Sequence, residues 1–365
     1  MTTARAHAMV FDGPERPLRL QEMDLPVPAA GELLVRVVMT TLCGSDLHTF
    51  RGHRSTPCPT VLGHEVLGTV AALPRGECMT DALNQPLVLG DRVTWSVVVH
   101  CGNCFFCRHN LPQKCEHLFK YGHEQLQPKY GPSGGLADFC HLKAGTTVFR
   151  VPDELDDRVA CPANCATATV AAAFDAADLC EDSAVLIQGC GMLGLTASAM
   201  ARSRGARHVI VCDVDESRLQ RAQQFGATHA IKIEPSSNRL QQVVAQTTAN
   251  RGVDLALEMS GSPEAIETGI ELLRIGGRYI WVGAVFPTRP VSLFAEKIVR
   301  KMLTIQGLHN YAPGHLADAL TFLQQHHLEF PFATLVSKSF PLSEAHAAFD
   351  FAAESGALRV AVCPD

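Results

Sequence analysis

The sequence lacks long apolar runs, a surplus of positive charge and the pattern of a secretory leader. No apolar run reaches the roughly 18 residues that a transmembrane helix needs, so no membrane span is expected. The 31 lysines and arginines are outnumbered by 37 aspartates and glutamates. The resulting net charge of −6 argues against a nucleic-acid or membrane-surface partner. Residues 1–7 show no apolar signal-peptide core, and we therefore expect a cytoplasmic protein.

Repeats and low-complexity tracts are also lacking, and at 365 residues the chain is too long for one ordinary core. Residues 5–150 show short strand-like runs broken by turn signals, which predicts an irregular, partly closed β domain. From about residue 160, strands alternate with alanine-rich helices, which is typical of a doubly wound parallel sheet. The predicted strands of that sheet are Ala184–Ile187, Val209–Cys212, Ala230–Ile233, Val253–Glu258, Arg278–Val282 and Leu303–Gln306.

Near the end of the sequence, predicted helices at 315–326 and 343–355 flank a short strand-like run at 334–336, and 358–362 predicts a further strand. These last elements return to the first domain, which is therefore discontinuous. We place the first domain at residues 1–158 and 306–365 and the second at 159–305. The fold class predicted is α/β.

A glycine-rich hexapeptide, Gly-Cys-Gly-Met-Leu-Gly at 189–194, joins a predicted strand to a predicted helix at 195–201. In dinucleotide-binding folds the first glycine permits a tight turn and the second lets the backbone approach a pyrophosphate. The third lets the helix pack close to the strand, and the diphosphate sits on the N–H groups that begin the helix. The cofactor contacts predicted here are Gly189, Gly191, Met192, Leu193 and Gly194.

An acidic residue, Asp213, ends the next predicted strand, 24 residues after Gly189. A carboxylate at this point accepts hydrogen bonds from both ribose hydroxyls of the cofactor and repels a 2′-phosphate. The sequence therefore favours NAD over NADP.

Fourteen cysteines are present, and four of them lie within one short segment: Cys101, Cys104, Cys107 and Cys115. A closed tetrahedral zinc site needs four soft donors, and two-residue spacers let successive thiolates turn inward. A closed site leaves no position for a substrate, so the predicted zinc is structural. The alternative is a group of free or disulfide-bonded cysteines, which four in so short an intracellular segment disfavours.

A second group of possible metal ligands is dispersed along the chain: Cys43, His64 and Cys165. Three protein ligands would leave the fourth zinc position open, as in a catalytic site. Each residue alone is more often a core cysteine or a hydrogen-bonded histidine, and spacing alone does not join them.

The whole chain resembles the zinc-dependent medium-chain alcohol dehydrogenases of the polyol and threonine dehydrogenase type. The resemblance is carried by motifs in a fixed order: CGSDLH at 43–48, GHE at 63–65, GDRV at 90–93, the four-cysteine segment, GGLADF at 134–139 and the glycine hexapeptide. It implies a GroES-like catalytic domain, a Rossmann domain, a cleft that holds nicotinamide beside zinc, and a homodimer or homotetramer. The string NCATAT at 164–169 resembles a subgroup that includes phosphonate-associated and hydroxycamphor dehydrogenases.

The resemblance implies that Cys43 and His64 are ligands of a catalytic zinc. Cys161 and Cys165 are both candidates for the third ligand. Many relatives carry this ligand about 24 residues before the first fingerprint glycine, and that distance favours Cys165.

Further roles follow from the resemblance alone. Asp46 is expected to orient the histidine ligand, and Glu65 to support the site or to exchange with substrate as a ligand. Ser45 is expected to accept the alcohol proton and to pass it through the nicotinamide ribose to His48, whose pKa lies near neutrality.

Two arginines match family positions that approach the cofactor: Arg218 the adenosine ribose and Arg359 the pyrophosphate. A basic segment with Arg51, His53 and Arg54 lies in a region that is near the substrate in the family. It suits either an anionic substrate group or a solvated loop.

The sequence therefore predicts a zinc- and NAD-dependent dehydrogenase that oxidises a primary or secondary alcohol to an aldehyde or ketone. A quinone or enone reductase on the same fold is an alternative, although such relatives lack the zinc ligands. A non-catalytic nucleotide or redox sensor is a second alternative.

Overall fold

A computed structural model describes residues 5–127 and 129–365 of the chain. The first four residues, part of the segment without a signal-peptide core, lie outside the described residues. Among the described residues, no helix combines the length and apolar character needed to cross a bilayer.

The strands, in chain order, are β1 (Arg5–Phe11), β2 (Arg19–Asp24), β3 (Leu33–Thr41), β4 (Thr60–Val61), β5 (Glu65–Ala72), β6 (Arg92–Trp95), β7 (Val98–Val99), β8 (Phe119–Lys120), β9 (Phe139–Leu142), β10 (Val148–Arg150), β11 (Ala184–Gln188), β12 (His208–Asp213), β13 (His229–Lys232), β14 (Val253–Glu258), β15 (Leu273–Trp281), β16 (Thr304–Gly307), β17 (Val336–Pro341) and β18 (Arg359–Cys363).

The α-helices are α1 (Gly44–Phe50), α2 (Phe105–Arg108), α3 (Asp157–Ala160), α4 (Ala166–Ala177), α5 (Met192–Ser203), α6 (Glu216–Gln224), α7 (Arg239–Thr247), α8 (Pro263–Leu272), α9 (Ala295–Arg300), α10 (Gly314–His326) and α11 (Ala345–Glu354). Short 3₁₀ turns occupy Pro112–Lys114, Cys161–Asn164, Phe332–Leu335 and Leu342–Glu344.

The chain divides into two compact units, and the first comprises the chain through Cys165, with Ala312–His327 and Phe332–Asp365. Its main sheet has the order β10-β6-β5-β3-β18-β17, and β9 also pairs with β3. The central strand β3 (LLVRVVMTT) pairs with β5, β9 and β18, and most of its side chains are buried, which suits its largely apolar sequence. This unit is the β-rich domain that the sequence predicts.

The second unit comprises Ala166–Tyr311 with Leu328–Pro331, and its sheet is a parallel six-stranded one. The strand order β13-β12-β11-β14-β15-β16 reverses direction between β11 and β14. Such a reversal is the switch point at which doubly wound sheets bind their ligands, outside the carboxyl ends of the strands. The predicted α/β fold class and the six predicted strands are confirmed.

The units change over after Cys165 and after Tyr311, whereas the predicted boundaries lie after residues 158 and 305. The short 328–331 segment also belongs to the second unit, where Phe330 stacks on Phe225. Helix α10, which sequence reasoning assigned to the first domain, lies in the first unit.

Candidate metal and cofactor sites

Strand pairing brings the first two predicted metal ligands together. Strands β3 and β5 are antiparallel, and Thr41 at the end of β3 pairs with Glu65 at the start of β5. Cys43 follows Thr41 by two residues and His64 directly precedes Glu65, so both ligands stand at the same end of the sheet. The register of one antiparallel pair therefore places residues that lie far apart in sequence side by side.

Asp46, in the first turn of α1, orients both of these ligands. Its Oδ2 accepts the backbone N–H of Cys43 at 2.9 Å, and its Oδ1 lies 3.1 Å from Nδ1 of His64. The carboxylate is fully buried. Because Nδ1 is committed to Asp46, Nε2 of His64 is the nitrogen left for a metal, and this pairing of carboxylate and ligating histidine is common at zinc sites.

Glu65 forms a buried ion pair with Arg359, the first residue of β18. Both carboxylate oxygens accept from the guanidinium at 2.7 Å, and Thr41 Oγ1 donates to Oε2 at 2.6 Å. Burial raises the pKa of Glu65 to about 7, although Arg359 opposes this shift. Arg359 also lies 3.5 Å from Sγ of Cys43. Its guanidinium thus points to the metal-ligand cluster, and its contact with a pyrophosphate stays a prediction.

Cys165 and Cys161 have different surroundings. Cys161 is fully buried, and its Sγ lies 3.4 Å from the carbonyl oxygens of both Met39 and Glu65. The sulfur of Cys165 instead lies within 4.8 Å of the sulfur of Cys43. Asn164, one residue earlier, donates at 3.0 Å to the carbonyl of His64 and thereby ties this segment to the site.

The donor set suits a divalent metal. The ligand atoms of Cys43, His64, Glu65 and Cys165 all lie within 4.8 Å of one another. The neighbouring thiol of Cys165 lowers the pKa of Cys43 well below its usual range; burial opposes this shift and Arg359 adds to it. Thiolates are the form in which cysteine binds zinc, and two sulfurs with an imidazole nitrogen are a known catalytic set. These residues therefore fit the expected catalytic zinc.

The four-cysteine segment forms a second cluster, whose sulfurs also lie within 4.8 Å of one another. Sγ of Cys101 and Cys107 are 4.0 Å apart, and those of Cys104 and Cys115 are 3.9 Å apart. A tetrahedron with Zn–S bonds of about 2.3 Å has edges of about 3.8 Å. Backbone N–H groups of Cys107 and Glu116 lower the pKa of Cys104 to about 6, which favours the thiolate. The cluster fits the expected structural zinc.

The two residues of the predicted proton relay both lie on α1. Ser45 Oγ is 3.5 Å from Nε2 of His64, on the metal side of the helix. His48 is half-buried, and its ring centroid lies 5.7 Å from that of His53. Burial lowers the pKa of His48, and the charges of His53 and Arg51 lower it further. A neutral imidazole is the form that accepts a proton.

The glycine fingerprint, in the second unit, follows β11 at the switch point of the parallel sheet. Gly189 has a φ of 97°, and a Cβ at Gly194 would collide with the carbonyl oxygen of Gly189. At Gly191, which precedes α5, an added Cβ would meet no atom within 4 Å. Open space beside the unpaired N–H groups that begin a helix is what a pyrophosphate requires. Met192 and Leu193 contribute the first of these N–H groups.

Asp213 ends β12 and organises the neighbouring loops. Its carboxylate oxygens accept the N–H groups of Cys190 at 2.6 Å and Asp215 at 2.9 Å. Arg218 lies on α6, where its Nε is 3.7 Å from Asp215 and its carbonyl accepts from Cys190 Sγ. Both predicted adenosine contacts therefore lie beside the fingerprint loop, and their roles toward a cofactor stay predictions.

Three residues near the catalytic cluster were not identified from the sequence: Lys120, His123 and, in its positioning role, Asn164. The His123 ring centroid lies 5.4 Å from that of His64. Lys120 and His123 follow the four-cysteine segment in an irregular stretch that carries no periodic pattern. Only the tertiary fold brings them to the site.

Comparison with known proteins gives two family matches. Residues 29–153 match the alcohol dehydrogenase GroES-like domain, and residues 193–325 match the zinc-binding dehydrogenase domain. The chain is 30% identical over 365 residues to the 5-exo-hydroxycamphor dehydrogenase of Pseudomonas putida, with 98% of each protein covered. It is 31% identical to the L-threonine 3-dehydrogenase of Idiomarina loihiensis, with 80% of each covered.

Among solved structures, an alcohol dehydrogenase from Thermotoga maritima superposes with a TM-score of 0.94 at 30% identity. The match covers 99% of this chain and 100% of the other. Both matched domains, the full-length relatives and the two cysteine-containing clusters agree with one another, and the chain is a member of the zinc-dependent medium-chain alcohol dehydrogenase family.

Proposed function

We propose that this protein is an NAD-dependent alcohol dehydrogenase that holds two zinc ions per chain, one catalytic and one structural. The observation that carries the proposal is the convergence of Cys43, His64 and Cys165, with the Glu65 carboxylate, at one end of the main sheet of the first unit. Two thiolates and one imidazole would hold the catalytic zinc, and Glu65 would stand beside it. The second zinc would be held by the four-cysteine cluster.

The chemistry divides between the expected cofactors and the side chains of the chain. Bound zinc would act as a Lewis acid on the alcohol hydroxyl, and bound NAD would accept the hydride. Ser45, next to Nε2 of His64, would accept the hydroxyl proton. His48 would then release that proton to solvent, because its lowered pKa keeps the ring neutral near pH 7. Arg359 would favour the ionised form of Glu65 beside the metal by offsetting part of the cost of its burial.

The choice of NAD rests on Asp213. Its buried carboxylate stands at the end of β12, where it would accept hydrogen bonds from the adenosine ribose and repel a 2′-phosphate. Gly189, Gly191 and Gly194 would hold the diphosphate turn.

The two alternative functions, a reductase and a sensor, leave more of the observed site residues unexplained. A quinone or enone reductase on this fold has no use for the Cys43–His64–Cys165 cluster, and a sensor has no use for a serine beside a ligating histidine. Cytoplasmic location and assembly as a homodimer or homotetramer stay predictions.

The proposal is tested by a screen of primary and secondary alcohols, with NAD and NADP compared by absorbance of the reduced cofactor. The alcohols should be diverse, because hydroxycamphor, threonine and sorbitol are the alcohols in the relatives' names. We expect NADH formation with a subset of alcohols and its loss when Cys43 is replaced by alanine. Reduction of enones by the Cys43→Ala variant at the wild-type rate would contradict the proposal.

A further inference from the structure

Three basic side chains, Arg54, Lys120 and His123, form a cluster beside the catalytic metal ligands, here called the basic cluster. Lys120 ends β8, which is held in place by pairing with β7 (Val98 with Lys120). His123 follows three residues later, and its ring lies 5.4 Å from that of His64, centroid to centroid. Thr56 Oγ1 donates to the carbonyl of His123 at 3.3 Å, and this bond ties the segment that carries Arg54 to the same place.

The side-chain nitrogens of the basic cluster make no hydrogen bond or ion pair within residues 5–127 and 129–365. His123 is 7% exposed, and neither of its ring nitrogens makes a hydrogen bond. Lys120 uses only its backbone N–H, which donates to Glu124 Oε1 at 2.9 Å, while its half-buried ammonium contacts no carboxylate. Arg54 likewise donates only its backbone N–H, to the carbonyl of His48.

The unpaired imidazole of His123 is costly, because a buried polar atom without a partner loses its hydration and gains nothing in return. Burial, followed by the charge of Arg54, lowers the pKa of Lys120 to about 8. Cys165, Asp46 and Cys43 oppose that shift, which places the ammonium within electrostatic range of the metal ligands. An anion bound here would relieve the repulsion between Lys120 and Arg54 and supply acceptors for all three side chains.

We propose that the substrate alcohol carries an oxyanion group, a carboxylate, phosphonate or phosphate, that is bound by Arg54 and Lys120 and accepts a hydrogen bond from His123. The inference rests on the proposed alcohol oxidation, since the hydroxyl of the same molecule would occupy the open metal position. The short separation of His64 and His123 requires only a few bonds between the hydroxyl carbon and the anion. A short hydroxyalkanoate or hydroxyalkylphosphonate has this chemistry.

Steady-state kinetics with matched alcohols tests the proposal. 1-Butanol is compared with 3-hydroxypropanoate and 2-hydroxyethylphosphonate, and the selectivity is the ratio of kcat/KM for the anionic over the neutral alcohol. We expect this ratio to exceed ten in the wild type and to fall by about tenfold or more in Lys120→Met and in Arg54→Met, because a charge-assisted hydrogen bond is lost. Lys120→Arg should recover most of it. Lys338→Met, which removes an exposed lysine of the same unit, should leave it unchanged.

A binding measurement separates failure of this inference from failure of the proposed oxidation. Inorganic phosphate and acetate are titrated into the zinc-loaded protein by isothermal calorimetry, which needs no turnover. Binding that is weakened at least tenfold by Lys120→Met but not by Lys338→Met supports the oxyanion site, and the tighter of the two anions identifies the preferred chemistry. Equal selectivity for neutral and anionic alcohols, or anion binding that is indifferent to Lys120 and Arg54, would overturn the inference while leaving alcohol oxidation intact. Absence of NADH formation with every alcohol would instead count against the proposed function.

Discussion

The position of a single sulfur atom distinguishes the two cysteines that are candidates for the third metal ligand. Cys161 is fully buried, its pKa is raised by burial, and its sulfur lies next to two backbone carbonyls. The sulfur of Cys165 lies within 4.8 Å of the Cys43 sulfur, in the ligand cluster. Cys43 and burial raise the pKa of Cys165 as well, so the pKa does not separate the two candidates. Their positions do, because the sulfur of Cys165 lies with the other ligand atoms, including the Cys43 sulfur whose lowered pKa a divalent cation complements.

Replacing Cys165 by alanine should lower the zinc content from two ions per chain to one and leave the four-cysteine cluster loaded. Loss of a residue that only orients a ligand costs about 10–100-fold, so loss of a ligand should lower kcat/KM by more than about 100-fold. Cys161→Ala is the matched control and should retain both ions. Elemental analysis of the purified variants measures both numbers, and the opposite pattern would assign the ligand to Cys161.

Asp213 combines a binding role with a structural one. The carboxylate oxygens that would meet a ribose also accept two backbone N–H groups. Asp213→Asn removes the charge but keeps one acceptor oxygen, whereas Asp213→Ser removes both oxygens and shortens the side chain. Both variants should move the ratio of kcat/KM for NADP over NAD upward by about tenfold or more, since a like charge near a phosphate is removed. A wild-type enzyme that already prefers NADP would show that the ribose argument is wrong.

The pKa of His48 sets the acid limb of the expected pH profile. Burial and the charges of His53 and Arg51 lower this pKa, and the negative charge of Cys43 opposes them. Activity that needs neutral His48 is lost as pH falls through that pKa. His53→Gln removes one lowering charge, so the acid limb of kcat should move to higher pH. His229→Gln, in the second unit, is the control, and an unmoved limb in His53→Gln would exclude His48 as the titrating group.

At the scale of elements, the turn between β11 and α5 separates the needs of folding from those of binding. A Cβ at Gly194 would collide with backbone, whereas one at Gly191 would meet open space at a φ of −75° that alanine adopts freely. The third glycine is therefore required by the fold and the second by the expected ligand.

Gly194→Ala should lower the free energy of unfolding by about 1–3 kcal/mol, as overpacked sites do. Gly191→Ala should change it by less than about 0.5 kcal/mol yet raise the Kd for NADH at least about tenfold. Urea unfolding and NADH fluorescence titration measure the two effects. Unchanged NADH affinity in Gly191→Ala would place the diphosphate elsewhere.

Elements with strong local patterns could be predicted, and those fixed by distant contacts could not. The alternation of apolar strands and alanine-rich helices sufficed for the six parallel strands. The segment at 334–336 was predicted to be a strand, but Phe332–Leu335 forms a 3₁₀ turn and β17 starts at Val336. Lys120 and His123 escaped prediction because their approach to His64 depends on the β7–β8 pairing and the path of the following turn, neither of which leaves a sequence signal.

At the scale of the whole molecule, the expected metals belong to the first unit and the expected dinucleotide to the second. A change confined to the structural metal cluster should therefore alter the affinity for the dinucleotide little. The four-cysteine cluster offers the cleanest test because its ligands all lie within residues 101–115.

Cys104→Ser should reduce the zinc content to one ion per chain and lower the melting temperature by about 5 °C or more, since structural zinc contributes directly to folding. The Kd for NADH should stay within about twofold of the wild-type value. Cys78→Ser, at an exposed cysteine outside both clusters, is the control. A large loss of NADH affinity in Cys104→Ser would show that the two units are not independent.

The Glu65–Arg359 ion pair joins residues 294 positions apart, and the entire second unit is encoded between them. During synthesis on the ribosome, β5 emerges long before β18, so Glu65 has no counter-charge until residue 359 has left the exit tunnel. The ligand cluster can therefore reach its final electrostatic state only after the nucleotide-binding unit has been translated.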